Sequence, residues 1–196
     1  MNCMKVLILV DLQKDFVDGA LGTPEARAII PKVAETIEQM ADKNTVVIFT
    51  KDTHSENYME TLEGINLPVP HCIKGTQGHG IVNEVFCAYL NHLNEYMDPY
   101  EAYPALDSDP IRIEKPSFGS IELQNMLYDM NERLGVEEIT LMGLCTGICV
   151  LSNAILAKAT LPEAQVNVVA DCCACVTPRS HKIALEAMEM CQIAII

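Results

Sequence analysis

The sequence predicts an α/β fold: a single domain built on a parallel β-sheet of about six strands, with helices on both faces. Three observations lead there. Apolar, β-type runs recur at Lys5–Val10, Thr45–Thr50, Ile111–Lys115, 138–143, Gln165–Ala170 and Gln192–Ile196. Segments of helical periodicity separate most of them. The runs are also nearly continuous in their apolar character rather than alternating, as befits strands buried on both faces.

Lys5–Val10 stops abruptly at Asp11, and the following loop contains the turn residues Gly19 and Gly22. Pro24 to Asp42 has Ile29, Ile30, Val33, Ile37 and Met40 on one side, which predicts an amphipathic helix. Thr45–Thr50 again ends in charge, at Lys51-Asp52-Thr53-His54. From Ser55 to about Asp109, Gly and Pro break the pattern, leaving a long insertion with one helix around Ile81 to Asn91. Ile111–Lys115 is a short strand closed by Pro116, and Glu122 to Leu134 is helical. The 138–143 strand runs into Gly143-Leu144-Cys145-Thr146-Gly147-Ile148-Cys149-Val150, and a helix follows over Leu151 to Ala159. Gln165–Ala170, a helix over Arg179–Met190 and a final strand over Gln192–Ile196 complete the chain.

With 196 residues, 49% of them hydrophobic, the chain can bury a substantial core. Its formal charge of −14 argues against nucleic acid and anionic membranes as partners, since phosphate recognition needs clustered Lys and Arg. Met4 to Val10 is too short for a signal peptide and no apolar stretch can span a bilayer, so a cytoplasmic location is expected. In that setting the nine cysteines do not imply a disulfide framework, and Cys172-Cys173-Ala174-Cys175 reads as small packing residues at the end of a strand. The apolar helix faces and the C-terminal strand are compatible with a homo-oligomer.

Ligands of parallel α/β sheets bind beyond the carboxyl ends of the strands. That rule gathers Asp11, Asp52, His54, Lys115 and Cys149 on one edge. Cys149 falls in the first helical turn if Thr146 caps the helix through its hydroxyl, and a helix N-terminus favours thiolate. A carboxylate can take the thiol's proton and later protonate a leaving amine, while an ammonium beside both steadies the charge. Asp52, His54, Glu63 and His71 offer a nitrogen and oxygen set suited to Zn²⁺, Fe²⁺ or Mn²⁺. Glu60 competes for the carboxylate position, and His79 is a spare imidazole.

Five segments together resemble the nicotinamidases, within the isochorismatase-like cysteine hydrolases, nearly end to end. They are Val10-Asp11-Leu12-Gln13-Lys14-Asp15-Phe16, Asp52-Thr53-His54, Pro70-His71-Cys72-Ile73-Lys74-Gly75-Thr76, Glu114-Lys115-Pro116-Ser117-Phe118 and Gly143 to Val150. The resemblance implies one isochorismatase-like domain over residues 1–196, of three-layer α/β/α form, with a metal-binding insertion at about 52–110. It implies Cys149 as nucleophile, Asp11 as general acid/base and Lys115 as the cation that positions both. The Cys145 and Cys149 amides would form the oxyanion hole, with a cis peptide between Leu144 and Cys145. A divalent ion, zinc foremost, would be held by Asp52, His54, Glu63 and His71. The small-molecule partner would be nicotinamide, contacted by Phe16 and Leu144 and hydrolysed to nicotinate and ammonia through a thioester. The sequence departs from the family twice. Gly147 stands where nicotinamidases usually carry Asp, and Leu67-Pro68-Val69 stands where relatives place an aromatic wall; the chain has no Trp.

Two alternatives compete with nicotinamide hydrolysis: an amidase of the same family acting on another small amide, and a non-catalytic thiol protein in which Cys149 senses oxidant. The second gives Lys115 and Asp11 no task. A dinucleotide oxidoreductase is disfavoured because no GxGxxG follows any strand.

Overall fold

The computed structural model describes residues 4–96 and 111–196. Six parallel strands form one sheet in the order β3-β2-β1-β4-β5-β6. They are β1 (Met4–Val10), β2 (Thr45–Asp52), β3 (Ile111–Lys115), β4 (Val136–Leu144), β5 (Gln165–Ala174) and β6 (Ala194–Ile195). The helices are α1 (Lys14–Val17), α2 (Pro24–Met40), α3 (Leu62–Asn66), α4 (Asn83–Tyr96), α5 (Ile121–Leu134), α6 (Leu151–Thr160) and α7 (Pro178–Met190). Among the described residues no helix is long and apolar enough to cross a membrane.

The unbroken apolar runs become the sheet's interior. Val6 to Val10 of β1 and Ile139 to Leu144 of β4 are all buried, because strands covered on both faces leave no side for polar residues. The chain winds outward from β1 through β2 to β3, then returns to β4 and winds the other way through β5 to β6. α2 packs with α4, while α5 packs with α6 and α6 with α7, giving one helical layer for each direction of winding. The winding reverses between β1 and β4, and such a switch point opens a crevice at the strands' carboxyl ends. Helix starts follow their sequence signals. The Thr23 hydroxyl accepts from the Ala26 N–H at 3.0 Å ahead of Pro24, Ser120 caps α5, and Thr177 with Ser180 forms a capping box on α7.

Three expectations shift. The insertion holds α3 as well as the expected helix, which begins at Asn83 and passes Asn91, and the part of the insertion over 97–109 lies outside the described residues. β5 continues past Ala170 to Ala174, which places Cys172 and Cys173 inside the strand. A register irregularity between Leu141 and Gly143 allows this by pairing Gly143 with Cys173. The last strand is two residues long, because Gln192 takes a positive φ of 62° and Ile193 still bonds back to Met188.

Gly143 marks the closest approach of β1 and β4. It pairs with Val10, its φ is 135°, and a Cβ there would lie 2.0 Å from the Val10 carbonyl oxygen. Only glycine tolerates both constraints. The Leu144–Cys145 peptide just beyond is cis. Gly143→Ala should therefore lower stability by more than about 3 kcal/mol, read as a fall in the urea midpoint; an unchanged midpoint would mean that β1 and β4 can separate freely.

Candidate active site

Asp11, Lys115 and Cys149 meet in the switch-point crevice. Asp11 follows β1 with a left-handed φ of 49°, a conformation Asp accepts more readily than most residues. One carboxylate oxygen, Oδ1, accepts from the Thr50 hydroxyl at 2.7 Å, and the other lies 2.6 Å from Lys115 Nζ. Lys115 closes β3, which is separated from β1 by the whole of β2. Adjacent strands lie about 4.8 Å apart, so the two residues start roughly two strand spacings apart, and the long lysine stem and the Asp11 carboxylate close the gap from opposite sides. On its way Nζ comes within 3.8 Å of Asp52 Oδ1, and it donates to the Ser117 carbonyl at 3.0 Å and to Cys149 Sγ at 3.5 Å. All three groups are buried: Asp11 is 0% exposed, Lys115 1% and Cys149 6%.

Cys149 sits in a π-helical turn, Thr146–Val150, that opens into α6. Cys145 is its extended N-cap residue, with φ −90° and ψ 147°, and the Cys145 carbonyl accepts from the Ile148 and Val150 amides. The expected Thr146 cap does not form. Its hydroxyl instead pairs with His181 Nδ1 on α7 at 2.8 Å, because the π turn packs directly against that helix.

Beside this crevice Asp52, His54, Glu63 and His71 turn their donor atoms toward one another, all within 4.8 Å. Asp52 Oδ2 lies 2.9 Å from His54 Nε2 and 3.2 Å from His71 Nε2, and Glu63 Oε1 is 3.7 Å from His54 Nε2. The Val69 carbonyl, 2.8 Å from His71 Nδ1, can only accept, so that nitrogen carries a proton and Nε2 is the atom turned to the cluster. Two imidazoles and two carboxylates with converging atoms fit a divalent cation. Tyr58 braces the pair, its ring centroid 4.6 Å from that of His54 and 5.0 Å from that of His71. Cys72, at φ 48°, donates its amide to Asp15 Oδ2 at 2.8 Å, which fixes the chain that turns His71 inward.

The electrostatics of the crevice differ from the expected low-pKa thiol. Burial pushes the Cys149 thiol well above its usual range and the nearby Asp11 carboxylate adds to this, against the pull of Lys115. Burial also raises Asp11, with Lys115 opposing. For Lys115 itself burial favours the neutral amine, but the Asp11 and Asp52 carboxylates oppose it and its pKa is raised. Asp52 is held well below the carboxylate range despite burial, by its bonds to His54 and His71 and by Lys115. Burial and the Asp11 charge thus favour the protonated sulfur, with Lys115 opposing.

Several candidates fall elsewhere. Glu60 is exposed on the 3₁₀ turn Tyr58–Glu60, leaving Glu63 as the clustered acid. The His79 ring is engaged outside the cluster, bonded to Thr53 Oγ1 at 2.8 Å and Lys51 Nζ at 3.2 Å. The Leu144 side chain, 1% exposed, belongs to the hydrophobic core. Phe16 is half-buried, with its ring centroid 5.5 Å from that of His71. Leu67 and Pro68 are exposed. A side chain at 147 would meet Ala184 Cβ and Cys175 Sγ at 3.4 Å, so an acid there would enter the packing against α7.

Asn153 and Thr50 escaped the sequence reading. Asn153, fully buried on α6, accepts from the Ser120 amide at 3.0 Å and donates to the carbonyls of Phe118 at 3.1 Å and Cys149 at 2.8 Å. It ties the turn that carries Cys149 to the segment that follows Lys115. An Asn within the apolar helix Leu151 to Ala159 was the available signal.

A thiol, a carboxylate and an ammonium gathered beyond the carboxyl edge of a parallel sheet are the parts of a cysteine-dependent hydrolase. The chain matches the family profile described as Isochorismatase domain over residues 5–88 and 92–196, and it belongs to that family of hydrolases. It is 25% identical over 200 residues to the nicotinamidase/pyrazinamidase of Mycobacterium tuberculosis, which covers 98% of each chain. The crystal structure of a pyrazinamidase/nicotinamidase from Streptococcus mutans superposes with a TM-score of 0.78 at 28% identity, covering 98% of this chain and 99% of the other. That of the Pyrococcus horikoshii pyrazinamidase in complex with zinc gives 0.74 at 28% identity, covering 98% of each.

Asn153→Ala strands one buried donor and two buried acceptors. It should cost about 2–4 kcal/mol, measured by urea unfolding; a loss under about 0.5 kcal/mol would mean that water replaces the amide.

Proposed function

We propose that the protein is a metal-assisted cysteine amidohydrolase that converts nicotinamide to nicotinate and ammonia. The observation that carries this reading is the contact of Lys115 Nζ with both Asp11 Oδ2 and Cys149 Sγ, directly beside the four-donor cluster. Relatives named for nicotinamide and pyrazinamide hydrolysis support the substrate class.

Asp11, made more basic by burial, takes the Cys149 proton as the sulfur attacks the carboxamide carbon. Lys115 balances the negative charge passing between sulfur and carboxylate. The developing oxyanion is received by the N–H groups of Cys145, which precedes the π turn, and of Cys149 within it. Asp11 then returns its proton to the departing nitrogen, which leaves as ammonia. The acyl group remains on Cys149 as a thioester. A water deprotonated by Asp11 attacks the thioester, nicotinate leaves, and the thiol is regenerated. Phe16, beside His71, offers an aromatic face to the ring. Asp52, His54, Glu63 and His71 would hold a divalent ion, zinc by the donor set, and that ion would supply a Lewis-acid anchor for the pyridine nitrogen.

Four measurements test the reading. Incubation with nicotinamide should release equimolar ammonia and nicotinate, with an acyl adduct on Cys149 detectable by intact mass. Cys149→Ala should reduce the rate by at least about 10³-fold. Absence of ammonia release from nicotinamide, with turnover of another carboxamide in a panel, would reassign the substrate within the class. Stripping the metal with a strong chelator should raise KM, and zinc should restore it; full activity in the stripped protein would exclude the anchor. Thr50→Val removes a hydrogen bond that lowers the Asp11 pKa. Because Asp11 must be ionised to accept the thiol proton, the acidic limb of the kcat/KM profile should move to higher pH; an unmoved limb would assign that ionisation to another group.

A further inference from the structure

Asp52 needs partners on both sides of β2 if its carboxylate is to be aimed. On one side β3 supplies them, pairing Lys115 with Asp52 in register. On the other, the β1–β2 ladder ends at Val10 and Thr50, because β1 turns away at Asp11. The Gln13 side chain fills that place. Its Oε1 accepts from the Asp52 amide at 2.7 Å and its Nε2 donates to the Asp52 carbonyl at 2.8 Å, satisfying both backbone groups that a neighbouring strand would otherwise bond. The same Nε2 donates to the His79 carbonyl at 3.1 Å, and the Gln13 amide bonds the Asp11 carbonyl at 2.7 Å. Gln13 is fully buried, so no solvent competes for these bonds.

We infer that Gln13 is a positioning residue: its carboxamide extends the sheet by one rung, holding the Asp52 backbone in line and fastening it to the Asp11 loop. Neither the nucleophilic chemistry nor the four-donor cluster uses this residue. The inference deepens the reading of the site as metal-assisted and rests on it. Residues that orient a ligand contribute about 10–100-fold to metal affinity. A fully satisfied amide at this position therefore acts on the cation through Asp52, and on amide hydrolysis through the distance between Asp52 and Asp11.

The test uses the full chain with zinc alone as probe, in competition with a chromogenic chelator, alongside urea unfolding and kcat and KM on nicotinamide. Gln13→Met, of similar volume but without the amide, should bind zinc about 10–100-fold more weakly and show a raised KM and a lowered kcat. Gln13→Asn keeps the amide on a stem one methylene shorter, and should weaken zinc by a smaller factor; it decides the matter should Gln13→Met fail to fold. Ile37→Ala, a core truncation on α2, supplies a control that loses stability while keeping its zinc affinity. Folded Gln13 variants with wild-type zinc affinity and KM, and only a lower urea midpoint, would overturn the inference. A wild type that binds zinc without hydrolysing nicotinamide would sink the proposed substrate alone, and the affinities would still decide the role of Gln13. A wild type that takes up no zinc would overturn both.

Discussion

The buried contact between Lys115 and Asp11 is the constraint on which the rest of the structure depends. An ammonium taken out of water is tolerated only when paired, and removing one partner of such a pair typically costs roughly 3–5 kcal/mol. The pairing here is also a spatial requirement. Lys115 leaves the edge strand β3, crosses the end of β2 and reaches the loop after β1, so β2 must stop at Asp52 and β1 must turn away at Asp11. Cys149 then completes the site by lying close enough to share the same cation.

That arrangement accounts for the state of the sulfur. A helix start beside a lysine favours thiolate when water is at hand, whereas a sealed crevice with a carboxylate already present favours the neutral thiol. Desolvation is the largest influence on Cys149, and Asp11 reinforces it. One ammonium cannot fully compensate two buried anions. Burial thus favours keeping the proton on sulfur, with the Asp11 carboxyl group beside it.

Much of this was legible in the sequence. The runs ending at Asp11, Asp52 and Lys115 located the carboxyl edge of the sheet, and Asp52, His54, Glu63 and His71 were recognisable by residue type and order. What escaped was whatever depended on packing between distant segments. Thr146 looked like a cap, but the partner that claims its hydroxyl, His181, lies 35 residues further on and on another helix. Glu60 and Glu63 were interchangeable in sequence, and the 3₁₀ turn separates them by exposing one and turning the other inward. The extent of β5 was missed because Asp171 interrupts its apolar run while the backbone ladder continues to Ala174. Asn153 gave its signal as a polar residue on an apolar helix face, but its three partners are set only by tertiary packing.

The bond between Thr146 and His181 bears on the order in which the molecule matures. Every side chain proposed to act on substrate or metal is encoded by residue 149, yet the π turn that carries the sulfur leans on α7, which begins at Pro178. A nascent polypeptide that has emerged only as far as β5 thus holds all of its reactive groups without the wall that fixes the last of them. Competence of the sulfur's turn waits for α7 to pack against it.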